Sequence, residues 1–200
     1  MDKRAVKFKI VIIGDSNTGK TCILKRYTEN IFKENYITTI GVDFHSKTLK
    51  IKDTDVTLQL WDTAGTEKFR ILTATYYKGA RACLIIYDIT RRESFENVRE
   101  WCSQFNNSND SPEHVIAIVG NKNDLESQRK VFRQEGEELA ATLKCSFFES
   151  SAKDGGSKIN EMFERIASDL INKFGLSGKP TKGQPTINVQ HSKKDKKPCC

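Results

Sequence analysis

The feature that most constrains this chain is a glycine-bounded segment between an apolar strand and a helix. The run from Phe8 to Ile13 leads directly into Gly14-Asp15-Ser16-Asn17-Thr18-Gly19-Lys20-Thr21, which has the pattern G-x-x-x-x-G-K-[ST]. The glycines of this pattern let the backbone curl until successive N–H groups point at phosphate oxygens, while the lysine reaches the terminal phosphates. The sequence therefore predicts a phosphate-binding loop in which Lys20 also serves catalysis and Thr21 ligates Mg²⁺. Its predicted binding residues are Asp15, Ser16, Asn17, Thr18, Gly19, Lys20, Thr21 and Cys22.

Apolar runs alternate with amphipathic stretches along the chain, which is typical of an α/β fold with helices on both faces of the sheet. Strands are predicted at about 6–13, 42–51, 55–61, 82–88, 115–120 and 145–149, and helices at about 20–29, 68–78, 92–107, 132–143 and 157–173. A polar turn at 52–54 predicts that the second and third strands form an antiparallel hairpin at one edge. The sequence from Thr90 to Glu93 matches a capping box at the start of the third helix.

Charge divides the chain into two parts. Of the net charge of +7, residues 176–200 carry +5, from six lysines and one aspartate. The nearly neutral remainder gives no reason to expect nucleic-acid binding. We predict a folded domain over 1–175 and a disordered tail over 176–200, in a chain without a membrane-spanning run or signal peptide. The six cysteines show no spacing that indicates a zinc site or a disulfide framework.

A second motif follows the predicted third strand, in Trp61-Asp62-Thr63-Ala64-Gly65. An aspartate at the carboxyl end of a strand beside the phosphate loop can hold Mg²⁺ through a water molecule. A glycine at position 65 lets its backbone N–H approach a terminal phosphate. Asp62 is therefore a predicted metal ligand, and Gly65 a predicted binding and catalytic residue.

A third motif, Asn121-Lys122-Asn123-Asp124, follows the strand at 115–120. The carboxylate of Asp124 can accept hydrogen bonds from both N1–H and the exocyclic amine of guanine, whereas adenine would leave it unpaired at a cost of several kcal/mol. The stem of Lys122 can lie along the base. Ser151-Ala152-Lys153 completes the predicted guanine pocket, with the Ala152 N–H aimed at the guanine oxygen.

Together these motifs resemble the Rab small GTPases of the Ras superfamily, over about residues 6–174 and the last two residues. The more specific segments are Ile40-Gly41-Val42-Asp43-Phe44, Lys68-Phe69-Arg70, Tyr76-Tyr77-Lys78-Gly79-Ala80 and Tyr87-Asp88-Ile89-Thr90. The resemblance implies a Ras-like fold with a six-stranded, mostly parallel sheet, and a GTP/GDP switch of vesicle traffic that uses Mg²⁺. It also implies that Thr39 closes over Mg²⁺ and the terminal phosphate, and that Phe32 packs against guanine. Phe44, Trp61 and Tyr76 would form the aromatic triad that meets effectors.

The chain departs from that family at Thr66, where most members carry a glutamine that positions the attacking water. Threonine is shorter, is β-branched and has no amide, so we predict intrinsic hydrolysis about tenfold slower. The resemblance implies that activating proteins supply an arginine and a glutamine in trans. A GTP-binding scaffold with negligible turnover remains an alternative, and an ATP-using enzyme is disfavoured by Asp124.

The last two residues, Cys199 and Cys200, resemble the double lipidation signal of Rab proteins. Two lipid chains anchor a protein firmly, and the lysines at 193–197 would add attraction to an anionic leaflet. The resemblance implies a monomer on the cytoplasmic face of an endomembrane that cycles with the cytosol. Its implied partners are effectors, an exchange factor, a GTPase-activating protein, a GDP-dissociation inhibitor and a Rab escort protein.

Overall fold

A computed structural model describes residues 6–33, 39, 41–51, 53–64 and 75–175. Six strands form one sheet: β1 Val6–Ile13, β2 Val42–Ile51, β3 Thr54–Thr63, β4 Ala82–Asp88, β5 Val115–Asn121 and β6 Ser146–Glu149. Their order is β2-β3-β1-β4-β5-β6, with β2 antiparallel to β3 and every other neighbouring pair parallel. The predicted edge hairpin and the mostly parallel sheet are confirmed.

In the described part of the chain, five α-helices cover this sheet: α1 Lys20–Glu29, α2 Arg92–Glu96, α3 Val98–Ser108, α4 Arg133–Leu143 and α5 Gly156–Phe174. Residues 75–77 are also helical, and a 3₁₀ segment spans Asn123–Gln128. Most of the helix predicted at 68–78 lies outside the described residues. The other predicted helices are present.

The third predicted helix begins at Arg92 as expected, but its continuity and its cap differ from the prediction. The stretch at 92–107 is divided at Asn97 into α2 and α3, although the Asn97 N–H still donates to Glu93 O at 3.0 Å. The capping box was wrong, because no side chain caps α2. The hydroxyl and the N–H of Thr90 both donate to the carboxylate of Asp88, at 2.7 and 2.8 Å. A charged carboxylate is a stronger hydrogen-bond partner than a backbone group, so it takes the hydroxyl that the capping box requires.

Apolar side chains pack on both faces of the sheet. Alternate residues of β1 point to opposite faces, with Ile10 and Ile12 in the core under α1 and α5, and Val11 and Ile13 in the core under α2, α3 and α4. The apolar stripe of α5 is core, as its spacing predicts: Ile159, Met162, Phe163, Ile166 and Leu170 are buried. The fold is therefore the three-layer α/β arrangement expected from the sequence.

The two ends of the parallel strands have different neighbours. The loops that carry the predicted motifs follow β1, β3, β5 and β6 at their carboxyl ends. Phe174, the last residue of α5, lies beside the amino ends of β1 and β4, with its ring 6.2 Å from Phe8 and 4.6 Å from the Arg81 guanidinium. Among the described helices, none combines the length and the apolar character that a membrane crossing needs.

Candidate functional site

A cavity of about 380 Å³ lies at the carboxyl edge of the sheet. Five segments of the chain form it: the loop before α1 with the first turn of that helix, the stretch after α1, the end of β3, the loop after β5 and the loop after β6. Its lining consists of Ser16, Asn17, Gly19, Lys20, Thr21, Cys22, Phe32, Lys33, Thr39, Thr63, Asn121, Lys122, Asp124, Leu125, Ala152 and Lys153. The structure thus brings most of the sequence-predicted binding residues to one cavity.

The loop before α1 adopts backbone angles that only a few residue types tolerate. Gly14 has φ +133° and Gly19 has φ +88°, and Asn17 between them is left-handed at φ +63°. A Cβ on Gly14 would come within 2.1 Å of the Ile86 carbonyl oxygen, and one on Gly19 within 2.3 Å of the Asn121 amide nitrogen. Both glycines are therefore required by space as well as by φ.

Lys20 is buried with its ammonium group inside the loop. Its Nζ donates to the carbonyl oxygens of Gly14 at 2.8 Å and of Asp15 at 2.7 Å. Burial lowers the pKa of Lys20 to about 8, against the opposing effects of Asp62 and Asp15. An ammonium group has three donors, so these carbonyls fix its position and leave one N–H for a ligand in the cavity.

The side chain of Asp15 points away from the cavity, which the sequence pattern does not predict. Its Oδ1 accepts a hydrogen bond from the Trp101 indole at 2.7 Å, and its Oδ2 accepts one from the Asn97 amide at 2.8 Å. Arg91 donates to the Ser16 carbonyl at 2.6 Å. The region from Arg91 to Trp101 therefore braces the loop from outside and keeps a carboxylate away from the phosphate-binding face.

Three oxygen-bearing side chains meet beside Lys20. The Thr21 hydroxyl is hydrogen-bonded to Asp62 Oδ2 and lies 2.6 Å from the Thr39 hydroxyl. Asp62 is fully buried, and its Oδ1 makes no hydrogen bond within the described part of the chain. Burial raises the pKa of Asp62. An unpartnered buried carboxylate oxygen beside two hydroxyls is the type of ligand set that suits a hard cation such as Mg²⁺.

The loop after β5 is held by contacts that leave its cavity-facing groups in place. Lys122 has a left-handed backbone with φ +68°, and its ammonium lies 2.6 Å from the buried carboxylate of Asp88. Its stem is therefore stretched along the cavity wall. Asn121 donates to the Thr18 carbonyl at 2.7 Å and accepts from the Ala152 N–H at 3.2 Å, which joins three loops of the site. Asp124 contributes to the lining.

The loop after β6 is less directly involved than the sequence predicts. Ala152 and Lys153 contribute to the cavity lining. Ser151 is buried, is not part of that lining, and uses its hydroxyl to accept the N–H groups of Lys153 and Asp154 at 3.0 and 3.1 Å. It shapes the loop instead of facing the cavity.

The aromatic residues of the predicted effector surface lie together. The ring centroids of Phe44 and Trp61 are 5.0 Å apart, and those of Trp61 and Tyr76 are 5.7 Å apart. Phe44 is 44% exposed, which is unusual for a phenylalanine in a hairpin strand. Four predicted functional residues lie outside the described part of the chain: Gly65, Thr66, Cys199 and Cys200.

Comparison with known proteins agrees with this geometry. The family model described as the Ras family matches residues 9–172. The chain is 40% identical over 194 residues to the Ras-related protein Rab-13 of Rattus norvegicus, covering 96% of this chain and 95% of that protein. The chain belongs to the Rab small GTPases of the Ras family. It is also 41% identical over 198 residues to the Ras-related protein SEC4 of Saccharomyces cerevisiae, and 42% identical over 167 residues to the Ras-related protein Rab-8A of Gallus gallus. These alignments cover 96% and 84% of this chain, and 90% and 80% of the respective relatives.

This membership confirms the resemblance drawn from the motifs. As a Rab small GTPase the chain binds guanine nucleotide, hydrolyses GTP and regulates vesicle traffic at endomembranes through effectors and regulators. The roles of its individual residues are proposals that depend on the geometry above.

Proposed function

We propose that GDP or GTP lies along the length of the cavity, with its phosphates in the loop at 14–21 and its base between the loops after β5 and β6. The observation that carries this proposal is the cavity itself, because five segments of the chain meet there with complementary chemistry. At one end are the residues of the loop before α1 and the buried Lys20 ammonium. At the other end are the Asp124 carboxylate, the Lys122 stem and the Ala152 N–H.

At the phosphate end, the backbone amides of the loop and the remaining donor of Lys20 bind the β- and γ-phosphates. Lys20 is buried, so the phosphates neutralise a charge that is otherwise poorly solvated. Thr21 and Thr39 would hold Mg²⁺ directly and Asp62 through a water molecule. An ion held by these residues would supply positive charge beside the phosphates, where negative charge develops during the reaction. The Gly65 N–H would contact the γ-phosphate, and Thr66 would stand where the attacking water is positioned.

At the base end, Asp124 accepts two hydrogen bonds from guanine and Ala152 donates one to the guanine oxygen. The Ala152 N–H already reaches Asn121 at 3.2 Å, near the long limit for such bonds, so it can be shared with a ligand. Lys122 and Phe32 would cover the faces and edge of the base. Adenine offers no matching donors to Asp124.

The remaining roles follow from the family. In the GTP form Thr39 would order the segment around it, and the surface of Phe44, Trp61 and Tyr76 would recruit effectors. Lipids on Cys199 and Cys200 would anchor the chain, and a GDP-dissociation inhibitor and an escort protein would bind it to allow cycling between membrane and cytosol. An activating protein would supply what Thr66 lacks.

A substitution at position 124 tests the base assignment. We expect the wild-type chain to prefer GDP over ADP, and Asp124→Asn to weaken GDP binding by about a hundredfold, or about 3 kcal/mol, because it loses a charged acceptor. Asparagine offers one donor and one acceptor, which match the C2 oxygen and N1–H of xanthine. Competition binding with xanthosine diphosphate should therefore show a gain in the variant.

The matched control is Asp154→Asn, which neutralises an exposed carboxylate on the loop after β6 that is not part of the lining. This variant should bind GDP, ADP and xanthosine diphosphate with the affinities of the wild type. Equal binding of ATP and GTP by the wild type, or an unchanged GDP affinity in Asp124→Asn, would overturn the assignment.

A further inference from the structure

Arg26 lies on α1, outside the cavity lining, and is hydrogen-bonded both to the loop after β6 and to the C-terminal end of α1. Its Nε donates to the Ala152 carbonyl at 2.8 Å, and its Nη2 donates to the Lys153 carbonyl at 2.8 Å. These two residues are more than a hundred positions away in the sequence. The planar guanidinium presents parallel donors in a fixed geometry, so the two bonds together define the orientation of the loop after β6.

The same side chain also contacts the C-terminal end of α1 and the stretch that follows it. Its Nη1 donates to the Asn30 carbonyl at 3.2 Å, and Asn30 ends α1 with a left-handed φ of +56°. The guanidinium carbon lies 5.9 Å from the centre of the Phe32 ring, within the range of a cation–π contact. Arg26 therefore links the end of α1 and Phe32 to the backbone of Ala152 and Lys153.

We propose that Arg26 is a positioning residue for guanine binding, which acts by fixing the Ala152 loop against the Phe32 side of the cavity. This inference depends on the proposed function, because it assumes that the Ala152 N–H meets the guanine oxygen. Ser151 constrains the loop only internally, through the N–H groups of Lys153 and Asp154. Arg26 ties the loop to a different element and so sets its distance from the base.

Nucleotide dissociation from the full-length chain tests this role. The chain is loaded with GDP carrying a ribose fluorophore and chased with excess unlabelled GDP. Arg26→Gln removes the two hydrogen bonds from the guanidinium to the carbonyls of the loop after β6, which are neutral acceptors. We therefore expect GDP to dissociate about tenfold faster than from the wild type. Arg26→Lys keeps the positive charge but not the parallel donors of the guanidinium. Its dissociation rate should fall between those of the wild type and Arg26→Gln.

The matched control is Arg165→Gln on α5. Arg165 is 70% exposed and pairs with Asp169 within its own helix at 3.2 Å, so its loss removes an arginine without touching the cavity. Its dissociation rate should equal that of the wild type.

Two nucleotide analogues separate positioning from general loosening. IDP lacks the amine that faces Asp124 but keeps the O6 oxygen, so Arg26→Gln should accelerate its dissociation by the same factor as for GDP. In 6-thioguanosine diphosphate a sulfur, which is a weaker acceptor, replaces that oxygen. The factor should therefore fall to about threefold or less, because the Ala152 contact is already weakened.

The outcomes distinguish the inference from the proposed function. If Arg26→Gln is no faster than Arg165→Gln, or accelerates all three nucleotides equally, Arg26 has no positioning role towards the base. If Arg26→Gln does not fold, the comparison of Arg26→Lys with the wild type decides by the same criteria. If the wild type itself retains no GDP, the proposed site is wrong.

Discussion

The two ends of the cavity are built in different ways. At the phosphate end the shape comes first from the loop itself, through three residues at positive φ and through Lys20, which bonds to carbonyls five and six residues away. The region from Arg91 to Trp101 adds an outer brace. At the base end the shape comes from outside the loops. Asp88 holds Lys122, Asn121 joins three loops, and Arg26 holds the backbone after β6.

The two ends of the cavity should also contribute differently to the affinity for nucleotide. The phosphate end concentrates unbalanced buried groups, namely the Lys20 ammonium and the unpartnered Oδ1 of Asp62. Such groups are costly until a ligand pairs with them, so this end should dominate affinity. At the base end Lys122, Asn121 and the Ala152 N–H are paired within the protein, so this end should set specificity with a smaller share of the affinity.

The largest expected effect is at Lys20. We expect Lys20→Met to weaken GDP binding by about a thousandfold, or about 4 kcal/mol, because hydrogen bonds from an ammonium to phosphate are charge-assisted. The loss should be equal for GDP, IDP and 6-thioguanosine diphosphate, since the contact does not involve the base. Equilibrium titration in saturating Mg²⁺ measures it.

Lys158→Met is the control for that experiment, because Lys158 is exposed on the first turn of α5 and is not part of the lining. Unequal losses among the three nucleotides would show that the two ends are not energetically separable. The assignment of affinity to the phosphate end and of specificity to the base end would then be wrong.

The next effect concerns the brace outside the phosphate loop. We expect Trp101→Phe to lower the free energy of unfolding by about 2 kcal/mol, because the Asp15 carboxylate loses a charge-assisted hydrogen bond in a partly buried setting. Urea unfolding of the GDP-loaded chain measures this change. It would show that the phosphate end also depends on contacts distant in sequence.

Trp61→Phe provides the matched control. The Trp61 indole nitrogen is buried and makes no hydrogen bond among the described residues, so the same loss of atoms removes no such bond there. Trp61→Phe should lower the free energy of unfolding by less than Trp101→Phe does. In addition, Trp101→Phe and Asp15→Asn should be non-additive when combined, since both remove the same interaction. If both substitutions lower the free energy of unfolding equally, the hydrogen bond from Trp101 to Asp15 does not stabilise the phosphate loop.

Sequence alone predicts what depends on local pattern. Backbone geometry required by Gly14 and Gly19, the edge hairpin and the stripe of α5 all arise from spacings of a few residues, and all are present. It does not predict the partner of Asp15, which lies 86 residues away in Trp101, or the partners of Arg26 on the loop after β6. Those contacts exist only after the sheet forms. Even a local pattern fails where a charge competes, as Asp88 does for the Thr90 hydroxyl.

The smallest expected effect concerns the reaction and not the binding of nucleotide. Thr66 lies outside the described residues, and its side chain has no amide to orient a water molecule against the γ-phosphate. We expect Thr66→Gln to hydrolyse GTP about tenfold faster in single turnover without an activating protein, which corresponds to about 1.4 kcal/mol. GDP affinity should be unchanged, because neither end of the cavity is altered.

Thr66→Ser separates the amide from the size of the side chain, since serine removes the branch but supplies no amide. It should remain as slow as the wild type. A fast serine variant would make steric obstruction by the threonine methyl group the cause of slow hydrolysis. If the glutamine variant is no faster than the wild type, the residue at 66 does not limit the reaction, and a scaffold with negligible turnover would need another explanation. If only the glutamine variant is faster, the residue at 66 limits the rate of hydrolysis. The phosphate end then sets nucleotide affinity and the base end sets specificity, independently of that residue.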